Sequence, residues 1–333
     1  MLTKNQDKET GAPTALDLFC GAGGLTLGLK MAGFRVLAGF ELNPVAAETY
    51  RLNHPKVKLY EGNIQDVCID DVVRNLGLNP GQLDLLAGCP PCQGYSSIRT
   101  LNGKNSPDDA RNGLLDEMLR FARALLPRSI MMENVRGLAK DLRFTEFLEA
   151  LESLGYHARN SYRIQDAQHY GVPQRRQRLV LLAGRHRTIR FPRPATVPPK
   201  TVRAAFTELA KRVSKEDPLR PQEEKRSEKV RAIIASVPKD GGSRADLPSE
   251  LVLDCHKKCN GFKDIYGRLA WDKPAPTITG GCFNPSKGRF LHPEEDRCIS
   301  MREASVLQGF PPDYKFSLKS GITGVAQMIG NAL

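Results

Sequence analysis

The chain has 333 residues, 40% of them hydrophobic and 26% charged, with 49 Lys and Arg against 37 Asp and Glu for a net charge of +12. That size supports one large or two smaller packed domains, and the positive surplus points to an anionic partner, nucleic acid foremost. Eight cysteines are too dilute for a disulfide scaffold, and no run reaches the ~18 apolar residues of a membrane span.

The polar start, "MLTKNQDKETGAPT", has no apolar centre of the signal-peptide kind, so a cytoplasmic protein without membrane attachment is expected. "TALDLF" (Thr14 to Phe19) reads as a strand, and "GGLTLGLKMAGF" as a helix closed by Gly33. "RVLAGFE" (Arg35 to Glu41) is a second strand, followed by a helix over Val45 to Leu52 opened by Asn43-Pro44. "VKLYEGN" and "LDLLAG" supply two more strands, "LLDEMLRFARALL" a helix, and "SIMMENV" (Ser129 to Val135) and "RLVLLAG" (Arg178 to Gly184) the last strands. The alternation predicts an α/β domain with a doubly wound, mostly parallel sheet. After about Arg190 the pattern breaks into "FPRPATVPPK", "KEDPLRPQEEKRSEKVR" and the loop "PKDGGSRADLP", and helical period returns at "ISMREASVLQGF". A core over 1–189, a smaller irregular basic module over 190–292 and a return to the core over 293–333 are expected.

Gly21, Gly23 and Gly24 sit between the first strand and first helix, where a backbone without Cβ atoms can pass close to a ligand. The dinucleotide fingerprint wants a third glycine at position 26, where Thr26 stands, so a nicotinamide oxidoreductase fails that check. Glu41 ends the second strand about twenty residues on, where a carboxylate can accept from ribose hydroxyls. A glutamate at a strand end is often mere surface, but its pairing with the glycine turn favours a nucleoside cofactor.

"GCPPCQGYSS" follows the fourth strand. A zinc site would need a second cysteine pair at compatible spacing, and Cys255 and Cys259 with His256 are loosely spaced. A nucleobase deaminase would want proline where Gly88 stands. A redox pair leads into a helix, whereas Gly94, Ser96 and Ser97 open an aperiodic loop of roughly twenty residues, the length of a functional lid. A nucleophile explains more: Pro90 and Pro91 stiffen the chain just before Cys92, at the carboxyl end of a strand where open sheets bind ligands. Glu133 ends the next strand and reaches the same crevice, and its flank of Met131, Met132 and Val135 is expected to raise its pKa.

The segments "DLFCGAGGLTLGL", "GFELNPVA", "GNIQDV", "GCPPCQGYS", "MMENVRGL", "YGVPQRRQRLVLLA", "MREASVLQGFP" and "QMIGNAL" stand in the order found in cytosine-C5 DNA methyltransferases, and the chain resembles that family, in its bacterial restriction-modification or orphan form. The resemblance implies a Rossmann-like, S-adenosylmethionine-dependent fold with a target-recognition domain at 190–292. It implies that Cys92 adds to C6 of a cytosine extruded from duplex DNA, that Glu133 acts at N3, and that C5 then takes the sulfonium methyl, leaving S-adenosylhomocysteine. Loss of the C5 proton and elimination of Cys92 would close the cycle. Asn134 would fix the strand end near the exocyclic amine and Arg178 would contact O2, with Arg176 and Gln174 bracing the site or phosphates.

For the cofactor, the resemblance implies Phe19 beside the adenine, Glu41 and Leu42 at the ribose end, and Asn63 and Ile64 near the adenine amine. An aspartate is frequent where Asn63 stands; its carbonyl can still accept, and Asp66 is the substitute. Pro91 and Leu114 would line the pocket, approached by Asn331 and Ala332. Relatives run on past this last motif, so these two are expected in a fraying terminus. Gln93, Ser96, Arg231, Arg244, Arg268 and Thr277 are the further expected DNA contacts, with "KDGGSRAD" as a base-reading loop and no metal. The partners implied are duplex DNA and a cognate restriction endonuclease acting separately, for a monomer. Two alternatives remain. A transfer-RNA branch carries a Cys-Phe-Thr signature not evident here, and a non-catalytic DNA-binding relative would have lost Cys92 or Glu133.

Overall fold

The computed structural model describes residues 11–91, 113–214, 216–221, 226–253 and 264–333. Cys92, Gln93, Ser96 and the expected lid, like Cys255, His256 and Cys259, lie outside the described residues.

Seven strands, β1 (Thr14–Leu18), β2 (Arg35–Glu41), β3 (Lys58–Glu61), β4 (Leu85–Gly88), β5 (Ser129–Val135), β6 (Tyr162–Asp166) and β7 (Gln177–Gly184), form one sheet in the order β3-β2-β1-β4-β5-β7-β6. The first five strands pair in parallel and β7 runs antiparallel to β5. The mostly parallel, doubly wound sheet expected from sequence is present. Strand order reverses at β1, which lies between β2 and β4. A crevice therefore opens at the carboxyl ends of β1 and β4, where such sheets take ligands. The glycine turn follows one of these strands and the Pro90-Pro91 segment the other.

Alternation along these strands feeds two cores. Leu16, Leu18 and Leu86 face one cluster with Phe40, Phe121, Ile130 and Leu179. Ala15, Leu85 and Ala87 face the other, with Leu29, Val36 and Tyr50. The helices of this part are α1 (Gly24–Met31), α2 (Pro44–Asn53), α3 (Ile69–Leu76), α4 (Leu114–Leu125) and α5 (Leu142–Ser153). The Asn43-Pro44 start of α2 forms by capping: Asn43 Oδ1 accepts from Val45 N at 2.9 Å and Ala46 N at 3.3 Å. Edge strand β6, "YRIQD", gives only a weak sequence signal: its alternation covers four residues, and its Ile164 stands exposed.

The chain divides into two compact units. One comprises 1–165, 177–193 and Leu333, the other 166–176 and 194–332. The segment 293–332, expected from sequence to rejoin the catalytic core, groups by its backbone contacts with the second unit. That unit holds α6 (Val202–Arg212), α7 (Glu228–Ser236), α8 (Met301–Leu307) and α9 (Gly321–Asn331). Among its described residues the only β pairing is isolated bridges such as Arg268 to Leu291.

Arg268 anchors this irregular unit. It is fully buried, and its Nε and two terminal nitrogens donate to the carbonyls of Val237 (2.9 Å), Ile234 (2.8 Å), His292 (3.0 Å) and Glu295 (2.6 Å) and to the Asp296 carboxylate. Those bonds use all the guanidinium donors. The expected phosphate contact by Arg268 is therefore corrected: it serves as an internal cross-link. No helix among the described residues is long and apolar enough to cross a membrane.

Candidate active site

The turn after β1 is held in conformations that favour glycine: φ is +55° at Gly21 and +93° at Gly23, and Phe19 adopts +60° despite its side chain. A non-glycine residue there costs about 1–2 kcal/mol, which the surrounding bonds offset. Cys20 N donates to Phe40 O at 3.0 Å and Gly23 N to Cys20 O at 2.9 Å. Glu41 ties β2 to the turn, its Oε2 accepting from Gly21 N at 2.8 Å and its Oε1 from Asn43 N at 2.7 Å. Burial pushes the Glu41 pKa up, and the N–H groups of Asn43, Gly21 and Leu42 pull against that. Leu42 stands 68% exposed beside it, and a Cβ placed on Gly21 would meet nothing within 4 Å. Gly24 begins α1.

Beneath the turn lies a buried polar chain. Thr26 Oγ1 is 2.6 Å from Asp17 Oδ2 and 2.9 Å from the Tyr50 hydroxyl. Burial raises the Asp17 pKa to about 7 against the lowering effect of the Thr26 bonds. An unfolded aspartate releases its proton near pH 4. Between pH 4 and 7 the folded state thus binds more protons than the unfolded one, and this contribution to stability is lost as pH rises through that window. Asp17→Asn should remove the dependence: thermal melting of parent and variant should nearly coincide near pH 4. The variant should be the more stable at pH 8, by up to roughly 4 kcal/mol. Parallel melting curves across this range would contradict the assignment.

Asn63 caps a short 3-10 turn, Ile64–Asp66, its Oδ1 accepting from Gln65 N at 3.2 Å and its Nδ2 donating to Gln65 Oε1 at 3.1 Å. Asp66 is exposed and Ile64 buried. Sequence reasoning missed what fixes this turn. Arg120 of α4 donates to Ile64 O at 2.7 Å and Val67 O at 2.9 Å, and Glu117 holds its guanidinium. In sequence, Glu117 and Arg120 look like an ordinary surface pair three residues apart. Leu114 opens the same helix and packs against the main core.

At the ends of β4 and β5, Asn134 Nδ2 donates to the Pro90 carbonyl at 2.9 Å while its Oδ1 accepts from Val135 N at 2.8 Å. It fixes the chain two residues before Cys92. Pro91 is exposed. Glu133 is 8% exposed, and Arg178 Nε lies 2.8 Å from its Oε1. In the β5–β7 register Glu133 faces Val180 and Val135 faces Arg178. The charged pair is thus a diagonal contact across one sheet face. Beside the flank of Met131, Met132 and Val135, Glu133 thus also has a guanidinium for a neighbour.

Gln174 and Arg176 belong to the second unit. The buried Gln174 side chain donates to Leu307 O and Gln308 Oε1 and accepts from Ile278 N. Arg176 donates to Ile278 O at 3.3 Å, Gly330 O at 3.2 Å and Ala332 O at 2.9 Å. Both side chains brace the backbone of the second unit. The fraying expected of the terminus is corrected: Asn331 is the last residue of α9, and Ala332 O accepts from Arg176 and Gln308. Arg231 is exposed on α7, and Arg244 opens a one-turn 3-10 helix capped by Ser243. Thr277 donates its hydroxyl to Arg175 O at 2.9 Å.

Comparison with known proteins gives one answer. The family model described as C-5 cytosine-specific DNA methylase matches residues 14–333. Type II methylase M.HgiDII of Herpetosiphon aurantiacus is 39% identical over 331 residues, covering 96% of this chain and 90% of that protein. Type II methyltransferase M1.HphI of Haemophilus parahaemolyticus is 32% identical, covering 96% and 83%. In fold, the chain is similar to a prophage-encoded DNA modification methyltransferase of E. coli, with a TM-score of 0.65 at 23% identity over 96% of this chain and 98% of that one. The chain belongs to the family of C-5 cytosine-specific DNA methylases.

Proposed function

We propose that the chain transfers a methyl group from S-adenosylmethionine to C5 of a cytosine swung out of duplex DNA, with Cys92 as nucleophile and Glu133 as the acid. The observation that carries this reading is that consecutive residues near the end of β5 make both contacts: Glu133 pairs with Arg178, and Asn134 holds the Pro90 carbonyl. Pro90, two residues before the thiol, follows β4, and Glu133 lies near the end of the adjacent parallel strand β5.

The turn fits the cofactor in three respects. Gly21 leaves open space, Leu42 offers an exposed apolar face, and the Glu41 carboxylate can present lone pairs to ribose hydroxyls beside the backbone N–H groups it already accepts. When bound, S-adenosylmethionine supplies an electrophilic methyl group. The chain's own residues prepare the base to accept it. The Cys92 thiolate adds to C6, breaking the C5–C6 double bond, and Glu133 gives a proton or hydrogen bond to N3 as charge develops there. Arg178 orients Glu133 and turns toward the O2 edge of the base. After C5 has been methylated, water takes the C5 proton, its electron pair re-forms the C5–C6 double bond as the Cys92 thiolate leaves C6, and any proton given to N3 returns to Glu133.

The segment 190–292, which from 194 onward belongs to the second unit, serves as the target-recognition module, with Arg231, Arg244 and Thr277 as its contacts. A paired restriction endonuclease acting separately is the partner suggested by the type II relatives. The protein is read as a cytoplasmic monomer. The test is transfer of tritiated methyl from S-adenosylmethionine to mixed-sequence duplex DNA and, separately, to transfer RNA. Label in DNA, absent with Cys92→Ala, is expected; label confined to RNA would overturn the substrate.

A further inference from the structure

We propose that His54 is a positioning residue for the cofactor turn, donating from Nε2 to the Gly23 carbonyl in a tautomer that Lys30 enforces. The inference rests on the cofactor reading above and assigns a residue that reading does not use.

Gly23 is the N-cap of α1, but it offers no side chain to cap the helix, and its φ of +93° is open chiefly to glycine. Something else must hold it. Its carbonyl accepts the first helical bond, from Leu27 N at 2.9 Å, and a second from His54 Nε2 at 3.0 Å. Both lone pairs are then used.

His54 is the C-cap of α2 and is 2% exposed. Tyr50 sits one turn earlier on the same helix face, its ring edge-on to the imidazole at 4.8 Å. The two side chains together grip the start of α1, Tyr50 through Thr26 and His54 through Gly23.

The tautomer follows from the partners. Lys30 Nζ, in the last turn of α1, lies 3.2 Å from His54 Nδ1. An ammonium group can only donate, so Nδ1 is bare and the ring proton sits on Nε2, facing a carbonyl that can only accept. Burial first, then the Lys30 charge, push the His54 pKa down to about 4. The ring is therefore a neutral, single-donor clamp at ordinary pH. Because Gly21 and Gly23 share the turn, releasing the carbonyl should loosen the surface against which the nucleoside would pack.

The test is calorimetric titration of S-adenosylhomocysteine into the full chain, its His54→Phe variant and its His54→Gln variant, with duplex-DNA affinity and melting temperature measured alongside. Phenylalanine keeps the ring against Tyr50 but cannot donate, and the glutamine amide can. Phenylalanine should weaken S-adenosylhomocysteine binding about tenfold with DNA affinity unchanged, and glutamine should restore most of the loss. Nitrogen-15 resonances of the His54 ring in the unaltered protein should show the proton on Nε2. The inference is overturned by parental affinity in His54→Phe, by no recovery in His54→Gln, or by a proton on Nδ1. If the unaltered chain fails to bind S-adenosylhomocysteine, the cofactor reading falls and this inference with it. Parental binding with unaffected variants overturns this inference alone.

Discussion

Replacing Glu133 with glutamine is expected to slow methyl transfer by roughly 10²–10⁴-fold, the usual range for losing a positioned acid, while leaving DNA affinity nearly unchanged. Glutamine matches the carboxyl in size and sits where Arg178 Nε now lies 2.8 Å from Oε1. It cannot give up a proton, so charge accumulating at N3 is met at most by a neutral amide hydrogen bond. The side chain is 8% exposed, which leaves little room for water to take over its role. Single-turnover rates separate the two quantities: the rate constant should fall and the DNA dissociation constant should not. A rate within about tenfold of the parent would remove Glu133 from general-acid chemistry.

Arg268→Met should have the largest effect on stability. Four main-chain carbonyls, those of Ile234, Val237, His292 and Glu295, would lose their donor, as would the Asp296 carboxylate. Breaking a buried, paired charge costs roughly 3–5 kcal/mol, and the second unit should unfold at markedly lower denaturant. Arg268→Lys should rescue only part of this, because an ammonium has three donors where the guanidinium has five. A surface arginine touching phosphate would behave in the opposite way, with unchanged melting and weaker, less salt-dependent DNA binding. Chemical denaturation of the two variants distinguishes these outcomes.

Arg268 also marks where reading the sequence stops. Its partners lie at 234, 237, 292, 295 and 296, and nothing near "GRLAW" announces that they converge. A basic residue in a basic module looks like a solvated or DNA-facing one until its burial is known. His54 was illegible for the same reason, since its partner Gly23 is 31 residues away. The glycine turn, the Asn43-Pro44 cap and the end of the second strand at Glu41 were legible because each depends on neighbouring residues and local backbone geometry, whereas the Glu41 bond to Gly21, twenty residues away, was not. The "PQRRQR" segment falls between these cases. Gln174 and Arg176 are buried while Arg175 and Gln177 are exposed, the two-residue period of extended chain. That period was visible in advance, but which face would be buried was not.

The central claim is a covalent bond between Cys92 and cytosine C6. The most direct measurement uses duplex DNA in which 5-fluorocytosine replaces cytosine throughout, incubated with the protein and S-adenosylmethionine. After methylation the C5 fluorine cannot leave as the proton would, so elimination stalls. A denaturant-stable protein–DNA complex, with the adduct mapped to Cys92 by peptide mass, is the predicted result. No complex, or an adduct on another residue while ordinary DNA is still methylated, would contradict the account.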